Sequence, residues 1–384
     1  MNRRDFVKLG GIIAASHSCA FSGSFADNSK TAERQKTVNF IYDGSHLNPL
    51  EYSRLLMRLA DEGKIKPDFY SNGGIVEELE NKFAEWLGKE RAVFMPTGTL
   101  ANHIAVRRLA GSHGRAIVQS ESHIYNDSGD CVQSLSHLNL IPLGRDKVCF
   151  SLEDIIDTVQ KTRSGRVASK IGVISIESPV RRKLDRIVSF KKIKEITDYA
   201  RMNGIKVHID GARLFVQAAH EDRSPAEYSP LSDTVYTSLY KCFNAASGAV
   251  LAGPKKLMDN LYHERRMFGG GMPHVWPFAA IALQFVDNFI KDYKTAHAKA
   301  EKLFLILEKN NQFKTEKLPD GTHIYKLYVK ECDLNKFRQA LAERNVRLGA
   351  PRNDGFLIKI NPSLNHQTPG SLAQYFKDAY HDAV

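Results

Sequence analysis

Ile205-Lys206-Val207-His208-Ile209-Asp210-Gly211-Ala212-Arg213 is the stretch that decides the fold. A short apolar strand runs straight into a carboxylate, and a glycine then turns the chain. Upstream, Ser189 can cap a helix whose stripe is Phe190, Ile193, Ile196, Thr197 and Ala200, and Gly204 stops it. Before that helix, residues 170–176 read as a strand ending at Glu177. Downstream, residues 234–239 read as another, ending just before Lys241. Glu177 and Asp210 lie 33 residues apart, and Asp210 and Lys241 lie 31 apart. One strand–helix–strand step takes roughly 30 residues, so each interval fits one step. Nearer the N-terminus, residues 91–95 form a strand, Pro96-Thr97-Gly98 a turn, and Thr99 to Leu109 a helix. Strands alternating with helices predict an α/β fold with a mainly parallel sheet and helices on both faces.

Beyond this region the pattern changes. Residues 283–310 read as one long helix, 323–329 as a strand, 333–344 as a helix and 356–360 as a further strand. That predicts a large domain over residues 70–285, a small C-terminal α+β domain over 286–384 and an N-terminal segment over 37–69. Residues 1–26 differ again. Arg3-Arg4-Asp5-Phe6-Val7-Lys8, a short weakly apolar run and small residues at Ser24 and Ala26 read as a twin-arginine-type signal peptide. Cleavage after Ala26 and a periplasmic location are expected, with no membrane attachment afterwards.

The chain has 384 residues, 42% hydrophobic and 25% charged, an ordinary globular balance. Its net charge of +11 falls to +9 without residues 1–26, which hold Arg3, Arg4, Lys8 and Asp5. The basic residues are scattered among acids, as in Lys89-Glu90-Arg91, so no nucleic-acid partner is expected. Cys131, Cys149, Cys242 and Cys332 match no zinc spacing, and no metal site is expected.

Ligands in open parallel sheets bind outside the carboxyl ends of the strands. Gly98-Thr99, Glu177, Asp210 and Lys241 all fall at such ends. Gly98 lets backbone approach an anion at a helix start. Asp210 needs a cationic partner, either Arg213 or the ring nitrogen of a bound cofactor. A lysine at a sheet end can lose its proton and attack an aldehyde. His123 either stacks on a ring or caps a helix.

Four ordered segments resemble the L-threonine aldolases, members of the β-eliminating-lyase group of fold-type-I pyridoxal-phosphate enzymes. They are residues 94–102 (FMPTGTLAN), 208–215 (HIDGARLF), 238–241 (SLYK) and 265–272 (RRMFGGGM), and the likeness spans about residues 70–283. The resemblance implies pyridoxal 5'-phosphate as cofactor, its phosphate on Gly98 and Thr99, His123 stacked on its ring, Asp210 at the ring nitrogen and Lys241 as the cofactor lysine. It further implies Arg213 at the cofactor and the substrate carboxylate, and Arg265 near the phosphate across a dimer interface. Tyr70 and Glu177 fall on the substrate side. A homodimer or homotetramer acting on a small amino acid follows from the same likeness.

Departures concern the substrate side. Val180 stands where the family often has a histidine, Tyr42 to His46 replace an Arg-Ser-Asp-Thr segment, and Lys326 or Lys330 stands near an expected arginine. The expected reaction is cleavage of a β-hydroxy-α-amino acid to glycine and an aldehyde, with His123 or a water beside Glu177 as base. The alternatives are β-elimination, racemisation or transamination of another amino acid, or a non-catalytic protein that keeps the fold.

Overall fold

In this computed structural model residues 36–384 are described; the expected signal over residues 1–26 lies outside them. In chain order the strands are β1 (Val38–Asn39), β2 (Arg91–Met95), β3 (Arg115–Gln119), β4 (Asn139–Leu143), β5 (Ile171–Glu177), β6 (Lys206–Asp210), β7 (Thr234–Ser238) and β8 (Ala249–Gly253). β9 (Phe313–Lys317), β10 (Ile324–Val329), β11 (Val346–Arg347) and β12 (Gly355–Lys359) follow.

Seven strands form the central sheet in the order β2-β8-β7-β6-β5-β3-β4. β7, β6, β5, β3 and β4 are parallel. β8 runs antiparallel to both β7 and β2. Its reversal has a simple cause: residues 239–248 are too few for a crossover, which takes about a dozen or more, so the chain returns beside β7. Two reversals restore direction, so β2 points the same way as the parallel strands. The turn after Met95 therefore emerges at the same sheet end as those after Glu177, Asp210 and Ser238. β5 and β7 are buried at every position, as strands covered on both faces must be.

The connecting helices follow their local signals. Ser189 caps Phe190–Met202 by accepting from the Lys192 N–H at 3.3 Å, and Gly204 follows with φ +67°. The helix expected over 283–310 is two helices, Trp276–Val286 and Phe289–Leu307. Asp287 and Asn288 separate them, and short polar side chains of this kind compete with the helix for its own backbone groups.

C-terminal to these helices, β12, β10 and β9 form an antiparallel sheet. Its apolar core joins Leu303, Leu327, Phe337, Ile358 and Phe376 with Val38 and Phe40 from the N-terminal segment. β1 pairs with β11, Val38 opposite Val346. Cys131, Cys149, Cys242 and Cys332 carry free thiols. Among the described residues no helix is long and apolar enough to cross a membrane.

Candidate active site

A cavity of about 160 Å³ opens at the sheet end just described. Gly98, Thr99, His123, Glu177, Asp210, Arg213 and Lys241 all line it. Strand direction brings them together: Glu177 and Asp210 are the last residues of β5 and β6, and Lys241 sits in the single turn Leu239–Cys242 that follows β7.

One wall is the start of the helix Gly98–Ala110. The Thr97 hydroxyl accepts from the Leu100 N–H at 3.2 Å, while the other N–H groups of a first turn have no partner within the helix. Residue 98 has to be glycine, because a Cβ there would lie 2.0 Å from the Tyr236 hydroxyl.

His123 opens the short helix His123–Asn126. Its backbone N–H donates to Glu177 Oε2 at 2.5 Å, and the Ser128 hydroxyl meets its Nδ1 at 3.2 Å. Burial lowers the imidazole's pKa, assisted by Lys241 and Arg181 against the pull of Asp210. Glu177 also accepts from the Arg181 N–H at 2.8 Å. Burial and the Asp210 carboxylate nevertheless push it up to about 8, so it holds its proton at neutral pH.

Lys241 is shifted the other way. Burial lowers its pKa and Arg213 adds to the effect, opposed by Asp210, Asp43 and Glu177. The N-terminal segment packs on this lysine's backbone: a Cβ on Gly44 would fall 2.8 Å from the Lys241 carbonyl oxygen. That segment also delivers a residue absent from the expected set. Asp43 pairs through Oδ2 with Arg213 Nε at 3.0 Å, and through Oδ1 with His323 Nε2 at 2.9 Å and Lys359 Nζ at 2.6 Å. Asp185 Oδ1 approaches Arg213 Nη1 at 3.4 Å. Burial alone would raise the Asp43 pKa; Arg213, His323 and Lys359 together hold it well below the usual carboxylate range. Arg213 thus reaches the cavity with its charge already balanced.

Arg265 and Tyr70 meet each other and not the cavity. The Arg265 guanidinium donates to the carbonyls of Phe94 at 2.7 Å, Tyr70 at 3.2 Å and Ser71 at 3.3 Å. Lys326 pairs with Glu316 at 2.9 Å, and neither it nor Lys330 lines the cavity.

An amine of lowered pKa, a carboxylate, an imidazole and a helix start thus face one small space. This donor set fits pyridoxal 5'-phosphate, with the helix start for its phosphate and Asp210 for its ring nitrogen. The sequence profile described as Beta-eliminating lyase matches residues 64–327. The chain belongs to the beta-eliminating lyase family. Its fold is that of the fold-type-I pyridoxal-5'-phosphate enzymes.

The chain is 27% identical over 228 residues to a low-specificity L-threonine aldolase of Candida albicans, covering 59% of this chain and 60% of that one. It is 30% identical over 221 residues to an alanine racemase of Cochliobolus carbonum, covering 55% of this chain and 54% of that one. The matched region is therefore under two thirds of either relative's length. Among solved structures, a threonine aldolase of Leishmania major superimposes with a TM-score of 0.65 at 16% identity, over 89% of this chain and 98% of that one.

Proposed function

We propose that this lyase cleaves a β-hydroxy-α-amino acid of the threonine or allo-threonine type to glycine and an aldehyde. The observation that carries this reading is the convergence of Lys241, Asp210 and His123 on one cavity. Pyridoxal 5'-phosphate, when bound there, supplies a sink for the electron pair released at Cα.

The chain's own residues do the rest. The lowered pKa of Lys241 leaves more of its amine unprotonated and able to attack an aldehyde. Arg213, held by Asp43 and Asp185, receives the substrate carboxylate. His123 is mostly neutral at pH 7, and with Nδ1 beside Ser128 its Nε2 is left to accept the β-hydroxyl proton. As that proton leaves, the C–O bond becomes a carbonyl and the Cα–Cβ pair stays on Cα. Reprotonation at Cα then yields glycine. Glu177, whose pKa burial and Asp210 push up to about 8, is mostly protonated near pH 7 and is the poorer base there.

A second reading keeps the site and changes the bond that breaks, giving racemisation or β-elimination. Two observations favour it: buried Val180 cannot move a proton, and one relative is an alanine racemase. We propose a homodimer in either case, supported by the exposure of Phe69 and Met267, 72% and 55% open in the single chain. Sedimentation at micromolar concentration checks this, and a monomer there would overturn it.

The deciding experiment measures aldehyde release from L-threonine, L-allo-threonine and β-phenylserine by cofactor-loaded wild type and by Lys241→Ala. Aldehyde from the wild type alone supports the aldolase reading. No aldehyde from any of the three, with the cofactor bound, sinks it. Racemised product or a keto acid would establish the second reading.

A further inference from the structure

His208 and Asp210 are two residues apart on β6, so their side chains share one face of the sheet. Thr234 is the ladder partner of His208 on β7. Across that face lies Asn102, from the helix Gly98–Ala110. The four side chains form a single file. Asn102 Nδ2 donates to Asp210 Oδ2 at 2.6 Å, His208 Nε2 lies 2.9 Å from Asn102 Oδ1, and His208 Nδ1 lies 2.8 Å from Thr234 Oγ1. The other Asp210 oxygen accepts from the Ala212 N–H at 3.2 Å. Asn102, His208, Asp210 and Thr234 are all buried, at 1%, 0%, 4% and 1% exposure.

Chemistry fixes the direction of each bond. A carboxylate only accepts, so Asn102 must turn its NH₂ toward Asp210 and its oxygen toward His208. The imidazole must then carry its proton on Nε2, leaving Nδ1 to accept from the Thr234 hydroxyl. Burial supports a neutral ring, lowering the His208 pKa to about 4. Reversing the Asn102–Asp210 or the His208–Asn102 bond alone would leave two donors or two acceptors facing each other without water to separate them, whereas the Thr234 hydroxyl can follow the ring in either role.

We propose that Asn102 and His208 are positioning residues for the cofactor: through this one-way file they lock the rotation and charge of the Asp210 carboxylate at the ring nitrogen. The proposal rests on the cofactor assignment and not on which bond the enzyme breaks. Its consequence is that the His208 tautomer reports the state of Asp210. A protonated Asp210 would flip the amide and move the imidazole proton to Nδ1.

The test has two arms. In the cofactor-free wild type, nitrogen-15 NMR of labelled histidine should show His208 protonated on Nε2 and bare on Nδ1 at pH 7. In the second arm, cofactor affinity and the visible band of the bound cofactor are compared among wild type, His208→Leu, His208→Gln and Asn102→Leu. Asn102→Leu removes a buried hydrogen bond to the Asp210 carboxylate, and His208→Leu leaves the buried Asn102 carbonyl without its donor, so each should weaken cofactor binding by about tenfold. The band's midpoint pH should move with it. His208→Gln, whose amide N–H can take the place of Nε2–H, should recover most of both. An Nδ1-protonated or fully protonated His208 overturns the proposal. So does a folded leucine variant with wild-type affinity and band, which would leave the file a packing feature only. Were His208→Leu to fail to fold, the NMR result and the glutamine variant still decide. Because aldehyde release is not measured, failure here and failure of the aldolase reading are separate results.

Discussion

At the scale of single residues, burial acts oppositely on the acids and bases of the site, and that sets expected pH behaviour. His123 has its pKa lowered by burial, so its base form persists below the ordinary value of 6.5. The acid limb of kcat/KM should therefore have its midpoint under 6.5, and it should vanish in His123→Phe. An unchanged limb in that variant would remove His123 as the base. Asp43 makes a stability prediction. Asp43→Ala leaves Arg213 and Lys359 with Asp185 alone, and breaking a buried ion pair in this way costs about 3–5 kcal/mol. The folded pKa of Asp43 lies well below 3.8, so its contribution is complete above that pH and is lost as the pH falls toward the folded value. Urea unfolding should show a wide gap between variant and wild type at pH 7 and a narrower one near pH 3. Glu177, Asp210 and Lys241 were legible in the sequence because each follows an apolar run. Asp43, Asp185, His323 and Lys359 were not, since their meeting depends on loops far apart in the chain. His208 carried a signal that local reading passed over: two residues before a functional aspartate on a strand is the same face.

At the scale of elements, the junction between β2 and the helix Gly98–Ala110 is the most constrained. Gly98→Ala would drive a methyl group into the Tyr236 hydroxyl, so either the helix start or the tyrosine must shift. Cofactor affinity should fall by about tenfold or more if the shift costs one hydrogen bond to the phosphate. Gly114→Ala, where a Cβ meets nothing within 4 Å, is the matched control and should bind normally. Equal affinity in the two would mean that the helix start does not contact the anion. The strand-to-helix order of this region was readable from periodicity. The reversed β8 was not, because direction depends on connection length and not on strand composition. The break at Asp287-Asn288 leaves no mark in the periodicity, because the apolar spacing continues across it into Phe289 and Tyr293.

At the scale of the whole molecule, the N-terminal segment is shared between two cores: Val38 and Phe40 lie in the second, and Leu59 lies in the first. Val38 and Phe40 look like ordinary strand residues, and nothing nearby in the chain names their partners. The fold supplies them: Phe40 N–H donates to the Arg347 carbonyl at 2.9 Å, and the Phe40 ring meets that of Phe376 edge-on with centroids 6.0 Å apart. Phe40→Ala should destabilise the protein by about 3–5 kcal/mol, as for other buried aromatic truncations. Thermal unfolding of the purified variant measures it, and a loss under 1 kcal/mol would mean that the segment is dispensable. The pairing of β1 with β11 also bears on biosynthesis. A ribosome delivers Val38 308 residues before Val346, so the first strand waits, unpartnered, while that length of chain is made. His323 and Lys359, which neutralise Asp43, arrive in the same late stretch. Domains usually fold in turn as they emerge. Here the ground beside Lys241 sets only after residues 323–359 have emerged, so this part of the site matures well after the strands that carry Glu177 and Asp210.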